Sequence, residues 1–393
     1  MNAFIGNTSL GRVLFFALAL SLGFGCAPRE PRSSRDPSAE SSGLEIGNRL
    51  AGAAEQLRQT HVVVIAIDGV RWQDVFLGVD AKLARARGLR SSEVVGAAEL
   101  MPNLHALIAT RGAALGAPGR GSMAASGPNF VSTPGYMEML LGRRRPPCGG
   151  NQCGAVSEPT LLDELAALPG ARRGDVAVVS SWEGVGKAIG IDGSRVAATV
   201  GRHGGRQREL FAYDAISREL LSDGESAGPE PGGGDFRHDD VTAAIALRYF
   251  EKRKPNFLFV GVGETDEYAH VNDYAKYLGA LRSADTLIGR FAQELFELER
   301  AGKRCLLLIT TDHGRADGFT DHGESDPESA YVWLVAVGDA IRARGFTRAP
   351  EPRYLADIAP TLRAVLGLPH DPAVNAGQVL HELLLPARPS HGS

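Results

Sequence analysis

The chain has 393 residues, long enough for one large α/β domain with a substantial core. Apolar residues make up 44% and charged residues 22%, a globular balance that excludes a wholly disordered or collagen-like chain. Lys and Arg number 42 against 46 Asp and Glu, so the net charge of −4 argues against a dedicated nucleic-acid binder, and four cysteines are too few for a disulfide-scaffolded fold.

The N-terminus reads as an export segment. Arg12 precedes an apolar run at 13–25 (VLFFALALSLGFG) that is too short to span a membrane and has the length of a signal-peptide core. The run ends at Cys26, followed by Ala27, so residues 1–26 resemble a bacterial lipoprotein signal in which the cysteine is lipidated. Gly23 stands where the favoured pattern has Leu, and an ordinary cleaved signal is the alternative. Either way the protein is expected to be exported, to the periplasm or to the outer membrane as a lipoprotein anchored through Cys26. No transmembrane segment is expected in the mature chain. Residues 27–44 are rich in Pro, Ser and charge and predict a flexible tether. The folded domain is expected over 45–386, with a loop insertion at about 190–240 and a disordered tail at 387–393.

Short apolar runs at 61–67, 176–180, 257–262, 305–310 and 331–337 predict strands covered on both faces. Helical patterns at 159–167, 241–252, 273–299 and 354–366 lie among them. This alternation predicts an α/β fold with a mainly parallel central sheet and helices on both faces. The Gly/Pro/acid stretch 222–240 predicts a surface loop. Cys148 and Cys153 sit in a Gly-rich segment (PPCGGNQCG), where an exported protein most often forms a disulfide; a metal-binding pair is the alternative. Cys305 begins an apolar strand and is expected to be a buried free thiol.

In such a sheet, ligands gather at the carboxyl ends of the strands. Asp68 follows the first strand, Asp266 and His270 follow the 257–262 strand, and Asp312 and His313 follow the 305–310 strand. His322 lies in the Gly/Asp-rich loop beyond. Asp266 and His270 have i, i+4 spacing, which aims both at one point. Mixed His/Asp sets suit zinc, and two such sets hold metals about 4 Å apart.

The blocks that carry these residues resemble the alkaline phosphatase superfamily, in particular its type I phosphodiesterase/nucleotide pyrophosphatase-like branch. VVVIAIDGVRWQDVF, VSTPGYMEMLLG, GETDEYAH, TTDHGR, TDHGESDPES and LADIAPTLRAVLGLP occur in family order from about residue 60 to 370. The resemblance implies an alkaline phosphatase-like fold and two divalent metal ions, expected to be zinc. Asp266, His270 and His322 would hold one. Asp68, Asp312 and His313 would hold the other, which also coordinates the nucleophile. Ser132, two residues before Pro134, is the nucleophile by this register, with Thr133 the adjacent alternative. Asn151 lies where the diesterase branch places an Asn that holds a phosphoryl oxygen; a plain turn Asn is the alternative.

The implied activity is hydrolysis of a small-molecule phosphate ester, a diester or a monoester, through a phosphoserine. Tyr136 departs from the diesterase pattern, which has His there. It also stands where the sulfatase maturation motif needs Arg, which disfavours a sulfatase. A phosphoryl-group transferase and an inactive binding module are the remaining alternatives. Arg143, Arg144 and Arg145 could attract an anion, but such runs are usually solvated.

Overall fold

The structure, a computed structural model, describes residues 37–190, 195–228, 231–370 and 375–386. The export segment 1–26 with Cys26, the first part of the expected tether and the tail 387–393 lie outside these residues. Residues 37–44, expected within the tether, belong instead to the helix Pro37–Arg58. From Glu45 onward the chain forms one compact unit.

Eight strands build the main sheet: β1 (Thr60–Ile67), β2 (Gly112–Leu115), β4 (Val176–Ser180), β5 (Ala197–Val200), β6 (Phe257–Val262), β7 (Arg304–Thr310), β8 (Leu334–Gly338) and β9 (Gly345–Phe346). The short β3 (Met123–Ala124) pairs with β10 (Arg353–Tyr354) in a separate ladder. The order across the main sheet is β5-β4-β6-β1-β7-β8-β2-β9. All its pairings are parallel except those of β8, which runs antiparallel to both β7 and β2. The sheet is thus mainly parallel, as the strand–helix alternation predicts.

Every residue of β1, β4 and β6 is buried, which explains their unbroken apolar runs. Side chains alternate between faces. Val62, Val64 and Ala66 enter one core with the helices Ser132–Leu141, Leu161–Ala166 and Ile358–Leu366. Val63, Ile65 and Ile67 enter the other with Pro102–Thr110, Asp239–Arg253 and Tyr274–Arg300. Helices therefore cover both faces. The region about 190–240, expected as a loop insertion, contains β5 and the helix Ala215–Ser226. That helix takes in the first part of the stretch 222–240, expected as a loop.

Cys148 and Cys153 form a disulfide with Cα atoms 5.7 Å apart, and Cys305 is free and buried. Burial pushes the Cys305 thiol up to about 12. No helix among the described residues is long and apolar enough to cross a membrane.

The Ser132–Leu141 helix is wholly buried and is held in place by Glu138. One carboxylate oxygen accepts from the Ser126 N–H at 2.8 Å and the Ser126 hydroxyl at 2.7 Å; the other accepts from the Ala356 N–H at 3.1 Å. Burial pushes the Glu138 carboxyl up from an ordinary 4.5 to about 7, against those donors. Between these values the folded chain holds a proton that the unfolded chain releases. The group's contribution to stability is therefore present below pH 4.5 and lost as pH rises through 7. Glu138→Gln is expected to flatten this fall in urea-melt midpoints collected across the interval. An unchanged slope would rule out Glu138 as its source.

Candidate active site

The three central strands β6, β1 and β7 run parallel and in register, with Ile65 opposite both Val260 and Ile309. Their carboxyl ends therefore finish side by side. Asp68 lies just past β1, and Asp312 and His313 just past β7. Asp266 and His270 lie on the helix Glu264–His270 that follows β6. His322 comes in on the loop beyond β7, its Nδ1 held by the Phe130 carbonyl at 2.9 Å. His313 is likewise oriented by its own neighbour, with Nδ1 2.8 Å from the Gly314 carbonyl. In both, Nε2 is left to face the site, the usual way a protein fixes a ligating imidazole.

Two groups result, each able to bring three donor atoms within 4.8 Å of one another: Asp266, His270 and His322, and Asp68, Asp312 and His313. In the first, His270 Nε2 lies 3.1 Å from Asp266 Oδ2 and 3.0 Å from His322 Nε2. In the second, His313 Nε2 lies 3.3 Å from Asp68 Oδ1 and 3.5 Å from Asp312 Oδ2. The His313 and His322 rings stack at 3.9 Å and join the groups. Two glycines permit the close approach. A side chain at Gly69 would strike the Asp266 carboxylate, and one at Gly135 would strike the backbone of Asp312.

Ser132 opens the helix Ser132–Leu141 beside the second group. Its hydroxyl donates to Asp68 Oδ1 at 3.3 Å and lies 3.2 Å from His313 Nε2. A cavity of about 130 Å³ is lined by Ser132, Asp68, Asn151, Trp182, Phe236, Asp266, Glu267 and His270. Thr133 is not on its wall, and its buried hydroxyl has no hydrogen-bond partner among the described residues. Asn151 Oδ1 accepts from the Thr133 N–H at 2.9 Å, so Asn151 sits at the helix N-terminus on the cavity wall. A larger apolar cavity of about 460 Å³, lined among others by Leu50, Arg143 and Leu368, contains none of the predicted site residues. Of the three consecutive arginines, Arg143 pairs with Glu158 and Arg144 lies over the Tyr354 ring; none lines the Ser132 cavity.

The second group sets two buried carboxylates against one titratable imidazole and no guanidinium. Burial, and then the neighbouring Asp68 carboxylate, push the Asp312 carboxyl well above the usual range. Burial opposes a charge on His313, but Asp312 and the other carboxylates carry it up to about 10. Asp312 Oδ2 is buried with no hydrogen-bond partner among the described residues. An orphaned carboxylate oxygen within an Asp/Asp/His set is the arrangement a divalent cation satisfies, so the residues fit a metal. In the first group, burial and then His313 push His322 down to about 3, which leaves it a neutral donor.

All seven residues picked out by the sequence come together here. Three more that shape the site carry weaker sequence signals. Tyr136 donates to Asp68 Oδ2 at 3.1 Å, Arg315 is bonded to Asp266, and Trp182 walls the cavity just past β4. The first two lie inside the blocks that bear ligands, and the third sits at the carboxyl end of a strand, where a wall residue is to be sought.

Residues 237–370 match the model of the Metalloenzyme superfamily. A 2,3-bisphosphoglycerate-independent phosphoglycerate mutase from Desulforudis audaxviator is 28% identical over 131 residues, 32% of this chain and 24% of the mutase. The chain spans about a quarter of the length of the curated relatives it matches. The alkaline phosphatase PafA shares the fold with a TM-score of 0.56 at 12% identity, over 83% of this chain and 99% of that one. A phosphonate monoester hydrolase of Agrobacterium radiobacter shares it at 0.51 and 16% identity, over 82% and 77%. The matched segment 237–370 contains five of the six candidate ligands, Asp266, His270, Asp312, His313 and His322. The chain has the fold of the alkaline phosphatase PafA, in line with the resemblance of its sequence blocks.

Tyr136 is buried, and its hydroxyl fixes one oxygen of Asp68. Removing a hydrogen bond that orients a ligand costs about 10–100-fold in metal affinity or activity. Tyr136→Phe is expected to show a loss in that range in a zinc titration of chelator-stripped protein. Affinity equal to the parent would mean that Tyr136 only fills space.

Proposed function

We propose that the chain is an exported hydrolase of small-molecule phosphate esters that works through a phosphoserine at Ser132 with two divalent metal ions, expected to be zinc. One observation carries this reading. The Ser132 hydroxyl stands at a helix N-terminus, on the cavity wall, 3.2 Å from His313 Nε2 and 3.3 Å from Asp68 Oδ1. Mutase relatives whose name denotes a phosphate ester, and fold neighbours named as a phosphatase and a phosphonate monoester hydrolase, favour a phosphorus centre. Monoester and diester substrates both remain within the proposal.

Asp68, Asp312 and His313 would hold one ion, and Asp266, His270 and His322 the other. When bound, they would lower the pKa of the serine hydroxyl and offset phosphoryl charge. The chain's own residues do the rest. Ser132 Oγ gives up its proton and attacks phosphorus, forming the Oγ–P bond as the ester P–O bond breaks. The leaving alcohol takes a proton, and water then cleaves the Oγ–P bond, which restores the hydroxyl and releases phosphate from a monoester substrate or a phosphate monoester from a diester. Asn151, whose Oδ1 takes the Thr133 N–H, would offer its Nδ2 to the phosphoryl oxygens at the helix N-terminus. A sulfatase reading stays disfavoured, because Tyr136 occupies the position its maturation motif needs for Arg.

Ser132→Ala is expected to lower kcat by about 10³-fold or more while metal still binds, and Thr133→Ala to lower it far less. Mass analysis of acid-quenched turnover should find phosphate on the peptide containing Ser132. A phosphate on Thr133, or an aldehyde at position 132, would refute the assignment.

Export rests on the apolar run ending at Cys26. Cells fed a fatty-acid probe are expected to label the parent chain and not Cys26→Ser. Equal labelling of the two would exclude a lipid at that residue.

A further inference from the structure

The two groups of candidate ligands differ in charge and in burial. Asp68, Asp312 and His313 are all buried, whereas His270 is exposed and His322 only partly buried. Asp68 and Asp312 take their described hydrogen bonds and ion pairs from Ser132 Oγ, Tyr136 Oη, the Gly69 N–H and His313. None of these is a fixed cation. Asp266, by contrast, gives Oδ1 to the guanidinium of Arg315. The Arg315 side chain is wholly buried and is anchored by two more bonds, Nε to the Phe319 carbonyl and Nη2 to the Thr320 carbonyl, each at 2.6 Å. Those carbonyls lie just before His322 on the same loop. Arg315 thus ties Asp266 to the His322 loop, and its permanent positive charge is paired directly with one group and not the other.

Counting full charges, Asp68 and Asp312 give their group −2, while Asp266 and Arg315 cancel to 0. Glu267 lines the same cavity and acts on both Asp266 and Asp68, so it does not separate the groups. His270 and His322 add no negative charge.

We infer that Arg315 makes the Asp266–His270–His322 group the weaker and more exchangeable of two metal positions, with the Asp68–Asp312–His313 group filled first. This rests on the reading that both groups bind metal. A unit charge at hydrogen-bond distance from a ligand repels an incoming dication by enough to weaken binding at least about tenfold, even at high effective dielectric. Arg315 acts through Asp266 and is a positioning residue.

The test is a calorimetric titration of chelator-stripped full chain with zinc chloride. The parent is expected to show two steps with dissociation constants at least about tenfold apart. Asp312→Asn should remove the tight step and Asp266→Asn the weak one. Arg315→Met should tighten the weak step by about tenfold or more and leave the tight step in place, whereas Arg315→Lys should preserve the gap. Two equal steps in the parent, or a weak step that weakens further in Arg315→Met, would overturn the inference. The parent titration decides the matter even if Arg315→Met does not fold. No zinc binding at all would instead overturn the reading on which it rests.

Discussion

The constraint on which this structure turns is electrostatic: three aspartates, Asp68, Asp266 and Asp312, held together at one end of a sheet, all of them buried. Like charges at such separations in a low-dielectric interior repel strongly, and a chain free to relax would keep them apart. The sheet denies that relaxation. β1 is locked between β6 and β7 in matched register, so the three carboxyl ends cannot diverge without breaking ladders on both sides of the central strand. Around this fixed charge the neighbouring residues read as answers to it. Tyr136 and the Gly69 N–H donate to Asp68 and Asp312, Arg315 opposes Asp266, and three imidazoles lie between them. Asp312 Oδ2 has His313 Nε2 at 3.5 Å but no hydrogen-bond partner among the described residues.

The scaffold and the site divide the work by stiffness. The strands that carry Asp68, Asp312 and His313 are buried on both faces, and the Ser132–Leu141 helix packs so closely on the Asp312 turn that Gly135 is needed there. His322 and Asn151 come from loops, and the loops are tied to one another. Asn129 donates to the Gly149 carbonyl inside the Cys148–Cys153 loop and accepts from the Glu324 N–H two residues past His322. Lys187 donates to the Asn151 carbonyl at 2.7 Å. The disulfide loop therefore bears on both the Ser132–Leu141 helix and the His322 loop, and a short covalent ring limits how far either can move.

Much of this was open to reading in the sequence, for identifiable reasons. A strand buried on both faces must be apolar throughout, so β1, β4, β6 and β7 stood out as runs. A ligand at a strand's carboxyl end must follow its run directly, so Asp68 and Asp312 declared themselves. What stayed hidden has equally physical causes. β2 is Gly-Ala-Ala-Leu, with no β-branched residue, and it becomes a strand only because β8 and β9 flank it. β8 continues the apolar pattern of its neighbours, and nothing in that pattern records that it runs the other way. The helix Pro37–Arg58 begins in Pro, Ser and charge that read as a tether, while its apolar contacts, Ala53, Ala54 and Leu57, come late. Tyr136 was legible as a departure from two family patterns but not as a hydrogen-bond donor to Asp68. That role depends on a packing distance across the sheet end, which no spacing along the chain encodes.

Arg315 shows how a single position can bias one of two similar groups by pairing with its carboxylate. It ends the block that supplies Asp312 and His313, yet its guanidinium reaches the carboxylate of the opposite group. A neutral residue there would leave Asp266 free to present both oxygens and would release the Phe319 and Thr320 carbonyls that the side chain now holds. The same side chain thus does two things of opposite sense: it orders the loop that delivers His322, and it opposes the positive charge that loop helps to receive. Order without strong cation affinity suits a position that must accept and release charge as a reaction proceeds. The buried pair Asp68 and Asp312, with no guanidinium bonded to either, suits one that stays filled.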